Sequence, residues 1–133
     1  MWNEEVLAGK TILAVKVKSP LVWLKLEGGG WIEIEVLADF GADSFIDAVV
    51  LDGKPKLTGK SEQITFPVKN TTQEEDEVTA TRFKGGVGSL VIVSRSSSNG
   101  YYGSHLHARS RGDPHLGVPY SNYWIRDVTS YHQ

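Results

Sequence analysis

Between Leu21 and Leu37 the chain reads Leu-Val-Trp-Leu-Lys-Leu-Glu-Gly-Gly-Gly-Trp-Ile-Glu-Ile-Glu-Val-Leu, and no other stretch limits the possible folds as tightly. Three glycines, free to take positive φ, separate two strand-like segments, which is the signature of a β-hairpin. After the turn Ile32, Ile34 and Val36 alternate with Trp31, Glu33 and Glu35, the period of a strand with one dry and one wet face. Glu33 and Glu35 are therefore expected in solvent. Carboxylates two apart on a strand can serve acid–base or metal chemistry, but a hydrated sheet face is the plainer reading.

The same signals recur along the chain. Residues 11–18 alternate after Ile12 and stop at Pro20; residues 62–69 form a strand in which Pro67 favours an edge; residues 78–84 and 89–94 flank a Gly85-Gly86-Val87-Gly88 turn. That turn lacks the lysine and following helix of a phosphate-binding loop. Residues 43–52 differ. Phe45, Ile46, Val49 and Val50 fall on one helical stripe, Asp43 or Ser44 can cap it and Gly53 can end it, so a short helix is expected there. The acidic run Glu74 to Glu77 lacks the spacing of a calcium loop and reads as a repulsive, solvated tip. The fold class that follows is α+β: a mostly antiparallel twisted sheet of six to eight strands with one short helix.

At 133 residues the chain is one domain, with a C-terminal tail from about residue 113 whose aromatic segment can cover a sheet edge or pack on a neighbouring subunit. No apolar run approaches the roughly 20 residues that span a bilayer, and the first residues resemble no export signal. A cytoplasmic protein with no membrane partner is expected. The absence of cysteine removes disulfides and thiolate chemistry.

Net charge is −2, but it is unevenly placed: residues 1–77 carry eight lysines against fourteen acids, whereas residues 78–133 carry one lysine and all five arginines against two. All histidines and tyrosines lie in that second part. Arginine's planar fork suits carboxylate or phosphate held bidentately, so this half points to recognition of an anion. With pI near 6.1 and no continuous basic track, long nucleic acid is a poor fit.

The candidate site is the strand-and-turn segment Leu90 to Arg111. Arg82, Arg95, Arg109 and Arg111 can neutralise phosphate; Phe83, Tyr101 and Tyr102 offer flat faces for a base; Ser98 and Asn99 can read its edge. No cofactor, metal or catalytic residue is assigned. The catalytic alternative is a metal- or histidine-assisted nucleotide hydrolase using His105 and His107, with His115 or Asp113 as a further ligand. Ser96, Ser97 and Ser98 are possible nucleophiles but sit in no Gly-x-Ser-x-Gly elbow. A third alternative is a virion or interaction protein whose aromatic tail serves assembly.

Leu7-Ala8-Gly9-Lys10-Thr11-Ile12 early and Ser98-Asn99-Gly100-Tyr101-Tyr102 late resemble a family of small phage and prophage proteins, similar to the Thoeris anti-defence sponges that sequester cyclic ADP-ribose isomers. The resemblance covers residues 6–106. It implies capture without turnover of a cyclic ADP-ribose isomer or cyclic oligonucleotide, in a homo-oligomer with pockets between subunits, inside the host cell. Asn99, Tyr101 and Tyr102 are its matched positions; Arg109, Arg111 and the tail lie outside it.

Overall fold

A computed structural model of the chain describes residues 6–18, 20–38, 44–69, 75–96, 104–111, 118–120 and 122–124. Ten strands follow in order: β1 (Ile12–Lys18), β2 (Leu21–Leu26), β3 (Trp31–Ala38), β4 (Ser44–Asp52), β5 (Leu57–Lys69), β6 (Glu75–Gly85), β7 (Ser89–Ser96), β8 (Ser104–Arg111), β9 (Val118–Tyr120) and β10 (Asn122–Trp124). They form two antiparallel sheets, β8-β3-β2-β1-β9 and β10-β4-β7-β6-β5. Sheet one is a meander flanked by later strands. Sheet two sets β4 beside the last strand of the β5-β6-β7 meander, a Greek-key order. Among the described residues no helix is long and apolar enough to cross a membrane.

The two sheets share one apolar interior. Ile12, Val15, Val17, Val22, Leu24, Ile32, Ile34, Val36, Leu106 and Ala108 of sheet one meet Ile46, Val49, Leu51, Phe83, Leu90 and Ile92 of sheet two. Burying each larger aliphatic side chain contributes roughly 1.5–3 kcal/mol before chain entropy is charged against it. The expected hairpin is present: Gly28, Gly29 and Gly30 all take positive φ, and Leu26 N–H donates to Gly30 C=O at 3.1 Å. Gly88 is constrained in another way. At φ +81° it lies so close to the β4–β5 turn that an added Cβ would stand 2.1 Å from the Asp52 carbonyl oxygen.

The expected helix over residues 43–52 is corrected. Residues 44–52 are β4, and no α-helix is found among the described residues. The reason is a β-bulge: the pairing with β7 shifts between Ile46 and Ala48, because Ile46 faces Ser94 and Ala48 faces Val93. One surplus residue, Asp47, puts the core positions Ile46 and Val49 three apart instead of two. That spacing imitates a helical stripe. A bulge near Leu13 likewise sets Ile12 and Val15 three apart in β1.

Other boundaries also move. Among the described residues ten strands form two sheets, where one sheet of six to eight was expected. β5 begins at Leu57, five residues before the strand expected from 62, and β6 begins at Glu75, inside the acidic run. Pro67 does lie on an edge strand, since β5 ends the order of sheet two. The tail contributes β9 to the β1 edge and β10 to the β4 edge of this same chain.

Candidate functional site

Arginines expected to converge lie on two sheets instead. Arg82 is exposed on the outer face of sheet two, opposite Glu62 and Val91. Phe83 is 2% exposed within the core, so its ring offers no stacking face to solvent. Arg95 is 3% exposed and donates from Nε to Asp47 at 2.8 Å and from Nη1 to Asp76 at 3.1 Å. Its guanidinium is a structural cation between two buried carboxylates. Arg109 and Arg111 belong to β8, in sheet one. Ser98, Asn99, Tyr101 and Tyr102 lie outside the described residues, as do Ser97, Asp113 and His115.

Asp47 reaches Arg95 because of the bulge. Having slipped one residue, β4 turns both Asp47 and Ala48 away from the interior, so the carboxylate lies on the same outer face as Arg95. Asp76 comes from the start of β6, two residues before Val78, which faces Arg95. The acidic run is therefore not wholly a solvated tip. Asp76 is buried at 6% exposure.

Arg82, Phe83, Glu62, Lys84, Gly85 and Gly88 line a shallow depression of about 250 Å³. Ligand pockets usually run from about 300 to 1,000 Å³, so a whole nucleotide does not fit inside it. Its carboxylate is already engaged: Lys84 Nζ is 2.8 Å from Glu62. That ammonium, first through its hydrogen bond and then its charge, with Arg82 adding to it, holds the Glu62 carboxyl below its ordinary value of 4.5.

Sheet one presents a more capable surface. The register aligns Lys16, Trp23, Glu33 and Arg109 in one row across β1, β2, β3 and β8. Side chains two apart share a face, so the flanking rows are Ala14, Lys25 and Trp31, and Lys18, Leu21, Glu35 and His107. These residues alternate with the core set and therefore occupy the outer face.

Glu33 organises the central row. Its Oε1 accepts from Trp23 Nε1 at 2.8 Å, and its Oε2 accepts from Nε and Nη2 of Arg109. Glu33 is 1% exposed, whereas the Arg109 side chain is 57% exposed. The expected wet position for Glu33 is thus corrected: an indole N–H and a guanidinium replace water, which satisfies a carboxylate that could not otherwise be buried. Glu35 is half-buried.

Three of the five N–H groups of Arg109 have no partner among the described residues. Beside this fixed fork, Lys16 Nζ sits 5.0 Å from the centre of the Trp31 ring. β1 and β3 are two strand spacings apart, roughly 9.6 Å, so the two side chains lean toward one another above β2, over Trp23. Lysine paired with an indole face in this manner is a cation–π contact. Lys16, Lys18, Lys25 and Arg109 against Glu33 and Glu35 leave the face at +2, in a chain whose net charge is −2.

Sequence reasoning singled out Arg109 but not its neighbours Lys16, Trp23 and Trp31, nor the burial of Glu33. One signal was visible. Trp31 occupies the polar phase of its strand, where an aromatic ring has no core to fill.

No protein-family model, curated protein or solved structure matches the chain.

Proposed function

We propose that this chain is a non-catalytic binding module that sequesters a small anionic nucleotide on the outer face of sheet one. Of the sponge reading, buried Phe83 and Arg95 have little to offer a ligand, and the weight shifts to Arg109 with Lys16 and Trp31. The observation that carries the proposal is the seat of Arg109 on buried Glu33, where Nε and Nη2 both converge on the one oxygen Oε2. A guanidinium already fixed in orientation loses little entropy when it takes up a phosphate. Trp31 supplies a flat face for a base, and Lys16 a second cation beside it.

Within this reading the ligand is a cyclic ADP-ribose isomer or a cyclic oligonucleotide, and the setting is a phage anti-defence protein acting in the host cytoplasm. Titration calorimetry with a panel of both ligand types tests it. At least one member is expected to bind without being converted, and Arg109→Ala is expected to weaken that binding about ten- to hundredfold, the worth of roughly 1.5–3 kcal/mol of charged hydrogen bonding. Silence across the panel removes the proposal.

A hydrolase reading has one observation behind it. His107 stands directly opposite Glu35, and both are half-buried, a juxtaposition that can hold an imidazole in one tautomer. Recovery of intact ligand from the heat-denatured complex would count against turnover.

A further inference from the structure

We infer that β5 is the contact through which two copies of this chain join, edge to edge, into one continuous ten-stranded sheet built from the five strands of sheet two in each copy. β5 spans 13 residues and ends its sheet, with β6 its only partner strand among the described residues. Thr58, Lys60, Glu62, Gln63, Ile64, Thr65 and Pro67 are all exposed, so neither face of the middle of the strand rests against sheet one. Ile64 is 63% exposed, the larger of the two hydrophobic side chains so placed. Its first residue is covered, since Leu57 N–H donates to Lys10 C=O and Leu57 C=O accepts from Gly9 N–H, but from Glu62 to Thr65 no second strand lies beside it among the described residues, and such an edge is a template for another strand.

Pro67 fixes which amides face outward. Proline has no N–H and sits in a sheet where that group would point away from the partner strand. By alternation Gln63 and Thr65 also turn their N–H and C=O groups outward, whereas Ile64 turns its own toward Ala80 of β6. Free donors and acceptors therefore lie at the centre of the strand, and Pro67 limits pairing toward its C-terminal end.

Charge selects the register of a two-fold antiparallel pair. Centring on Glu62 sets that carboxylate against its own copy, and like charges directly opposite are destabilising. Centring on Ile64 sets Ile64 against Ile64, Glu62 against Phe66 and Gln63 against Thr65, with no like pair facing. That arrangement gathers two isoleucines and two phenylalanines on the outer face and covers the exposed apolar group. A second copy is thus the occupant that the edge fits, because the contact is isologous.

Sedimentation of the full chain is expected to give twice the monomer mass, and Ile64→Lys to halve it with the circular-dichroism spectrum unchanged. Since the chain has no cysteine, Ile64→Cys reports the register. In a non-hydrogen-bonded antiparallel pair the Cα atoms lie about 4.5 Å apart, within disulfide reach, whereas Glu62 and its copy are separated by about 14 Å in the same register. Oxidised Ile64→Cys is expected to run as a covalent dimer and Glu62→Cys as a monomer. A monomeric wild-type chain, an assembly that survives Ile64→Lys, or equal cross-linking at both positions would overturn the inference.

Discussion

The two outer faces of the sandwich each hold an arginine against carboxylate, and they use it in opposite ways. On sheet two Arg95 is 3% exposed between Asp47 and Asp76, both buried. On sheet one the carboxylate is buried but the Arg109 side chain is 57% exposed. Two acids enclose the first guanidinium and leave it nothing to offer a ligand. A single acid aims the second and leaves much of its fork in solvent. Exposure, not residue type, separates a cation closed off by protein from one left open to solvent.

The sharpest way to break that contrast is to remove each arginine. Arg95→Met strips the cation from two buried carboxylates and is expected to cost about 3–5 kcal/mol, read as a lower urea midpoint at unchanged slope. Arg109→Met leaves the buried Glu33 oxygen without its charged donor, but the guanidinium it removes is half-exposed and water can follow, so the expected cost is smaller, about 1–3 kcal/mol. Equal losses would dissolve the distinction. Trp23→Phe tests the seat itself: a buried Glu33 oxygen loses its indole donor, for about 1–3 kcal/mol of stability, and anion binding should weaken as Arg109 loses its fixed orientation.

Weaker still is the Lys16–Trp31 contact. Trp31→Leu is expected to lower stability by about 0.5–1 kcal/mol and to quench any ligand-dependent change in tryptophan fluorescence. The smallest effect belongs to Glu62 and Lys84. A carboxyl whose folded-state value is depressed adds stability at pH above its ordinary 4.5 and loses it as pH falls through the lower folded value. Lys84→Met should therefore flatten the acid limb of the stability–pH curve below that point. Because both groups are exposed, added salt should do much the same.

Much of the fold was legible because strands with one dry face announce themselves by alternation. Ile32, Ile34 and Val36 turn inward as their spacing says, and Gly28 to Gly30 turn the hairpin. Residues 44–52 misled for a definite reason: a bulge changes the local period from two to three, and a spacing of three is also the mark of a helix. The site was legible in part. Arg109 stands out by residue type, but its neighbours on the face come from β1, β2 and β3, roughly 75 to 95 positions earlier in the chain. Nothing local to Arg109 names Glu33 as its partner.

The sequence by itself determined a mostly antiparallel strand content, the hairpin, the edge character of β5 and an arginine-rich second half, since each follows from residues near one another along the chain. Tertiary structure alone decided which charges are buried. Cross-strand register sets the distance between a carboxylate and a guanidinium, and that distance, together with what covers the pair, determines whether water or protein satisfies them.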